Sequence, residues 1–203
     1  MATIVVGGQA SGVGKTGLIC GLIAAFPEQR WTAIKVTQCS HAGSEGCECE
    51  LGGREFAITE EHESTTGTDT ARFMAAGAAR ALWVRTRPGA LGDALRETRA
   101  MLVGDENILF ESNSVLEFVR PEVYVLVVAP ALEDFKESAR RWLDRVDVLA
   151  ILHADEDGKA EARWVEELRG QTGGIPGFEM RHAETAPAEF VEFMRERIGR
   201  RGV

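Results

Sequence analysis

The stretch from Thr3 to Ile23 limits the possible folds more than any other part of the chain. Thr3-Ile-Val-Val is β-branched and apolar, the pattern of a short buried strand. Gly7 and Gly8 end it, and Lys15-Thr16 open a segment with apolar residues at Leu18, Ile19, Leu22 and Ile23, which is helical spacing. Strand, glycine loop, Gly-Lys-Thr and helix in that order predict a loop that cradles phosphate. Glycines allow consecutive backbone N–H groups to turn toward phosphate oxygens, and the helix N-terminus adds partial positive charge. The expected nucleotide-binding set is Gly8, Gln9, Ala10, Ser11, Gly12, Val13, Gly14, Lys15, Thr16 and Gly17. Lys15 would reach the β- and γ-phosphates, and the Thr16 hydroxyl would face Mg²⁺. The common form of this loop has glycine five residues before Gly14. Here that position is Gln9, and the glycine is Gly8, so the loop is one residue longer.

The rest of the chain alternates between strand and helix patterns. Strands are predicted at 31–37, 81–85, 107–111, 123–129 and 148–153, with a short one at 54–59 on the edge of a flap. Helices are predicted at 70–79 (capped by Asp69), 89–103, 132–146, 159–172 and 184–201. Several strands are apolar on both faces, as a parallel sheet covered on both sides requires. The expectation is one α/β domain over 1–203, a three-layer, doubly wound, mostly parallel sheet, with a long loop at 38–68. In such sheets ligands sit beyond the carboxyl ends of the strands. Lys35, Glu111 and His153 fall there, beside the glycine loop.

Glu111 closes its strand and is the expected second Mg²⁺ partner beside Thr16. Lys35 and Asp69 complete the candidate catalytic set with Lys15 and Glu111. Arg72, one helical turn after Asp69, is placed to contact phosphate. No Asn-Lys-x-Asp segment is present to read guanine, and His153 and Asp155 stand nearest to that role. Cys39, His41, Cys47 and Cys49 supply four ligands of the zinc-binding kind within eleven residues, at spacings unlike the common fingers.

A net charge of -9 and a pI near 5.1 argue against nucleic acid as a partner. No apolar run reaches the ~20 residues that cross a bilayer. With Met-Ala-Thr leading straight into the first strand, a cytoplasmic location with reduced cysteines is expected.

These motifs resemble the adaptor GTPase of molybdopterin-guanine dinucleotide biosynthesis, within the group of P-loop proteins that includes dethiobiotin synthetase. The longer glycine loop is similar to that of dethiobiotin synthetases. Lys35 followed by His41, and Asp69-Thr-Ala-Arg-Phe-Met-Ala-Ala-Gly-Ala, resemble the adaptor family. Both relatives end the Glu111 strand in glutamate but follow it with glycine, where this chain has Ser112. The resemblance implies Mg²⁺ with ATP or GTP, a homodimer, and either slow hydrolysis beside a cofactor-biosynthesis partner or phosphoryl transfer to a small acid held by Lys35 and Thr37. A nucleotide-gated metal carrier using the cysteine loop is the third expectation.

Overall fold

The computed structural model describes residues 2–39, 51–104, 107–132, 134–153 and 162–199, with side chains of 162–164 left aside. Eight strands form one sheet: β1 (Ala2–Gly8), β2 (Thr32–Gln38), β3 (Phe56–Glu60), β4 (Arg80–Thr86), β5 (Asn107–Glu111), β6 (Val123–Val128), β7 (Val148–Leu152) and β8 (Gly177–Met180). Their order is β3-β4-β2-β5-β1-β6-β7-β8. Among the described residues all pairings are parallel except β3 with β4, which lies at one edge. From β1 the chain crosses to β2 and the β3 edge, returns inward through β4 to β5, and then runs outward on the other side through β6, β7 and β8, which is the doubly wound α/β arrangement the sequence predicts.

Side-chain alternation along the strands builds a core on each face. Ile4, Val6, Val123, Val125 and Val127 meet Leu18 and Leu22 of α1 (Lys15–Ala25), Phe73 of α2 (Asp69–Ala75), and Phe190 and Met194 of α6 (Ala188–Gly199). Val5, Tyr124, Leu126 and Val128 meet Leu91 and Leu95 of α3 (Leu91–Met101), Ala139 of α4 (Glu137–Arg140), and Val165 and Leu168 of α5 (Ala162–Gln171). The β1 and β6 side chains are therefore buried on both faces, as their unbroken apolar runs require.

Three elements depart from expectation. The helix expected at 132–146 is reduced to α4 and a 3₁₀ turn at Leu143–Arg145. The Lys136 N–H donates to the Gln9 carbonyl at 2.8 Å, and the Leu132 carbonyl accepts from the Gln9 side chain at 2.7 Å. Tertiary bonds to the glycine loop thus take groups that a continuous helix would use. The cap of α2 is Thr68, whose hydroxyl accepts from the Ala71 N–H at 3.1 Å. Asp69 stands in the first turn, so its carboxylate is free to face the ligand side. β8 was not foreseen; the final helix begins at Ala188, four residues later than expected, because 177–180 first adds a strand to β7.

Candidate functional site

The glycine loop leaves β1 and returns at Gly14, which holds φ 102°, a left-handed conformation that glycine adopts without strain. Neither end of the loop is free. Asn113, after β5, accepts from the Gly8 N–H and donates to the Gly8 carbonyl, both at 2.9 Å. Gln9 is fully buried: its side-chain carbonyl accepts from the Ala129 N–H at 2.9 Å, and its backbone N–H reaches the Val127 carbonyl at 2.9 Å. Expected among the nucleotide contacts, Gln9 instead points away and ties the loop to the end of β6. Val13 also turns inward, into the core. The remaining loop residues, Gly8, Ala10, Ser11, Gly12, Gly14, Lys15, Thr16 and Gly17, line a cavity of about 870 Å³.

Inside that cavity the Thr16 hydroxyl donates to the Glu111 carboxylate at 2.9 Å. Lys15 donates to the Ala10 carbonyl at 3.3 Å, across the mouth of the loop. Burial lowers the Lys15 pKa, and the Lys136 and Lys35 charges add to that against the pull of Glu111. Burial raises Glu111 above the usual carboxylate value, opposed by Lys35 and Lys15. Lys35 lies beside Glu111 in the β2–β5 register and forms an ion pair with Asp69. Burial alone would raise Asp69, but the Lys35 bond and charge, with the Arg72 charge, outweigh it and hold the carboxyl low. Arg72 lies 3.5 Å from Asp69 and donates to Glu184 at 2.6 Å. Ser112, where the resembled families carry glycine, is buried; its hydroxyl accepts from the Ser114 N–H at 3.0 Å and closes the turn after β5.

Four of the expected groups thus meet in one place: Lys15, Glu111, Lys35 and Asp69, with Thr16 and Arg72 beside them. His153 directly follows β7, its N–H bonded to the Met180 carbonyl, and is not in the cavity wall. Asp155, His41, Cys47 and Cys49 lie outside the described residues. Cys39 is buried and disulfide-bonded, which corrects the expectation of reduced cysteines, since a disulfide sulfur is not the thiolate that zinc binds. Cys20 is a free thiol, pushed up to about 11 by burial. Among the described residues no three His, Cys, Asp or Glu side chains converge to hold a metal ion. Thr16 with Glu111 offers the sparse, all-oxygen donor pair that suits Mg²⁺, an ion that keeps phosphate and water in its remaining positions.

Sequence reasoning missed Asn113, Lys136, Ser138 and the segment Arg181–Glu184, all in the cavity wall. Asn113 could have been suspected from its place two residues after Glu111. Arg181–Glu184 follows a strand that was itself unread.

No protein-family model and no curated protein matches the sequence. Solved structures that share its architecture include the following two. LpxK from Aquifex aeolicus, in complex with ATP, superposes with a TM-score of 0.51 at 14% identity over 88% of this chain. The likeness shows the fold alone, a doubly wound, mostly parallel α/β sheet. HypB from Helicobacter pylori, in complex with nickel, gives 0.52 at 11% identity, covering 96% of this chain and 84% of HypB. This chain spans about half of LpxK, 53% of its length. Within this fold, the cavity lies at the carboxyl ends of β1, β2 and β5, where the glycine loop, the Lys35 segment and Glu111 converge. No helix among the described residues is long and apolar enough to cross a membrane.

Proposed function

We propose that this protein binds Mg²⁺ with ATP or GTP and cleaves the bond between the β- and γ-phosphates. The single observation that carries this reading is the convergence of Lys15, Thr16 and Glu111 under a glycine loop anchored at both ends. The loop amides and Lys15 would hold the phosphate oxygens, while Thr16 and Glu111 would hold the ion, which supplies charge neutralisation at the β–γ bridge. Asp69 is ion-paired with Lys35, so the pair can orient a nucleophile beside the γ-phosphate with its charges balanced. Arg72, paired to Glu184, can turn onto the phosphates as charge develops.

A second reading, transfer of the γ-phosphoryl group to a small-molecule acceptor, is favoured by the extent of the cavity. It continues past the phosphate loop along Lys35, Val36, Thr37 and Gln38 and opposite Ser112–Ser114, more room than a hydrolytic water needs. A role as a slow adaptor NTPase in molybdenum-cofactor assembly, with its homodimer, is supported by the resemblance of Lys35 and of residues 69–78.

Calorimetry with ATP and GTP in the presence of Mg²⁺ tests the first reading. Wild type is expected to bind one nucleotide per chain, and Lys15→Ala to lose at least about a hundredfold in affinity, as removal of a buried charged phosphate contact should. Equal binding by the two proteins would sink it. Product analysis separates hydrolysis from transfer: free phosphate without any acceptor supports the former, and nucleoside diphosphate with a phosphorylated acceptor, formed only with an added acid, the latter.

A further inference from the structure

On the face of the sheet that α2 covers, the carboxyl ends of β2 and β4 carry a row of polar and aromatic side chains beyond the helix. Ala33 and Ala81 lie under α2 in one core; two and four residues further on, by strand alternation, the same face carries Lys35 and Thr37 on β2, and Trp83 and Arg85 on β4. Register places Lys35 beside Trp83 and Thr37 beside Arg85. The Trp83 indole N–H donates to the Thr37 hydroxyl at 3.0 Å, and the Arg85 guanidinium lies over the Trp83 ring, 4.5 Å from its centre. Thr37 and Lys35 are also walls of the nucleotide cavity, so the row is continuous with it.

Arg85 differs from its neighbours in having no carboxylate partner among the described residues. Arg80 pairs with Glu60 and Arg72 with Glu184. Arg85 makes one long hydrogen bond, to the Thr59 hydroxyl at 3.4 Å, and its Nε is buried with no partner. A partly buried guanidinium, oriented by an aromatic ring and left uncompensated, is a receptor for an anion. In a chain of net charge -9 there is no general shortage of carboxylates, so the lack of a carboxylate partner among the described residues is a local feature.

We propose that Trp83 and Arg85 form the anion-binding end of a second-substrate site, which holds the carboxylate or phosphate of the molecule that receives the γ-phosphoryl group. The inference rests on the transfer reading given above. Arg85 lies one strand across and two residues along from Lys35, roughly 8 Å at the ordinary strand spacing and rise. The acceptor is therefore a short small acid: its nucleophilic oxygen reaches Lys35 and Asp69, and its far-end anion reaches Arg85.

The test loads the protein with a non-hydrolysable analogue of whichever triphosphate binds, then titrates inorganic phosphate and, separately, malonate by calorimetry. Loaded wild type is expected to take up one further anion. Arg85→Gln is expected to weaken that binding at least tenfold with analogue affinity unchanged, and Trp83→Leu, which removes the ring under the guanidinium, to weaken it in the same direction. Preference for phosphate identifies a phosphorylated acceptor, and preference for malonate a carboxylic acid. A loaded wild type that takes up no anion, or an Arg85→Gln protein that binds it equally well, overturns the proposal. The same titration on Lys15→Ala, whose nucleotide site is disabled, separates the two readings. Anion uptake that still depends on Arg85 would keep this site even if no nucleotide bound, and loss of uptake only through Lys15 would remove it.

Discussion

At the scale of single residues, the extra position in the glycine loop has a structural purpose. Gln9 stands where the common loop has glycine, and it spends both ends of its amide on the chain after β6. Its burial removes it from ligand contact and makes it a fastener. Gln9→Ala would leave the Leu132 carbonyl and the Ala129 N–H without their partner, the first in an exposed residue and the second in a half-buried one. Water can take over the Leu132 carbonyl, whereas a buried orphan costs about 1–3 kcal/mol, so the expected loss of stability is about 1–3 kcal/mol. Urea denaturation checks this, with unchanged m-value and a lowered midpoint. A loss below about 0.5 kcal/mol would mean that solvent reaches both groups and the fastening role is wrong. The residue type alone could not reveal this: a polar side chain inside a phosphate loop reads as a ligand contact until its burial is known.

At the scale of elements, the face of α1 built from Gly14, Gly17 and Gly21 decides how near the last loop can come. A Cβ on Gly17 would meet the Ala183 Cβ at 2.8 Å, and one on Gly21 the Glu184 carbonyl oxygen at 2.9 Å. The segment Arg181–Glu184 therefore lies directly on the phosphate-loop helix and carries Glu184 to Arg72 of α2. Gly21→Ala gains about 0.5–1 kcal/mol of helix propensity but must push back a backbone carbonyl, an overpacking cost of about 1–3 kcal/mol. The expected net effect is destabilisation, with faster amide exchange at 181–184 and weaker nucleotide binding. A more stable Gly21→Ala protein with unchanged exchange would show that this contact is loose. The sequence made most of this architecture legible, because β1, β5, β6 and β7 are continuous apolar runs with no competing periodicity. It concealed β8, a four-residue strand directly after a Gly-Gly-Ile-Pro turn, and overextended the helix before β7, because 132–146 has helical composition while its first carbonyls and N–H groups are claimed by Gln9. Within the site, Lys15, Thr16 and Glu111 were legible from spacing. Asn113, Lys136 and Arg181–Glu184 were not, because only the sheet order brings them to β1.

At the scale of the whole molecule, two fields of opposite sign act on an anionic ligand. The chain as a whole carries -9, whereas the cavity wall holds Lys15, Lys35, Arg72, Lys136 and Arg181 against Glu111, Asp69 and Glu184. Beyond a Debye length, about 10 Å at 0.1 M salt, the net negative charge governs and slows the approach of a nucleotide. Within the cavity the low-dielectric walls leave the cationic contacts less screened, and they govern dissociation. Added salt should therefore relieve the far-field repulsion while weakening the bound state. Stopped-flow binding of a fluorescent nucleotide between 0.05 and 0.5 M NaCl, concentrations chosen to bracket the range over which screening changes, separates the two. The association rate constant is expected to stay level or rise modestly as salt increases, and the dissociation rate constant to rise several-fold, so that affinity falls through dissociation. An association rate that drops steeply with salt would mean that the cavity's cations project past the acidic surface and steer the ligand from a distance. Charge on the remainder of the chain would then have no part in how the site is reached.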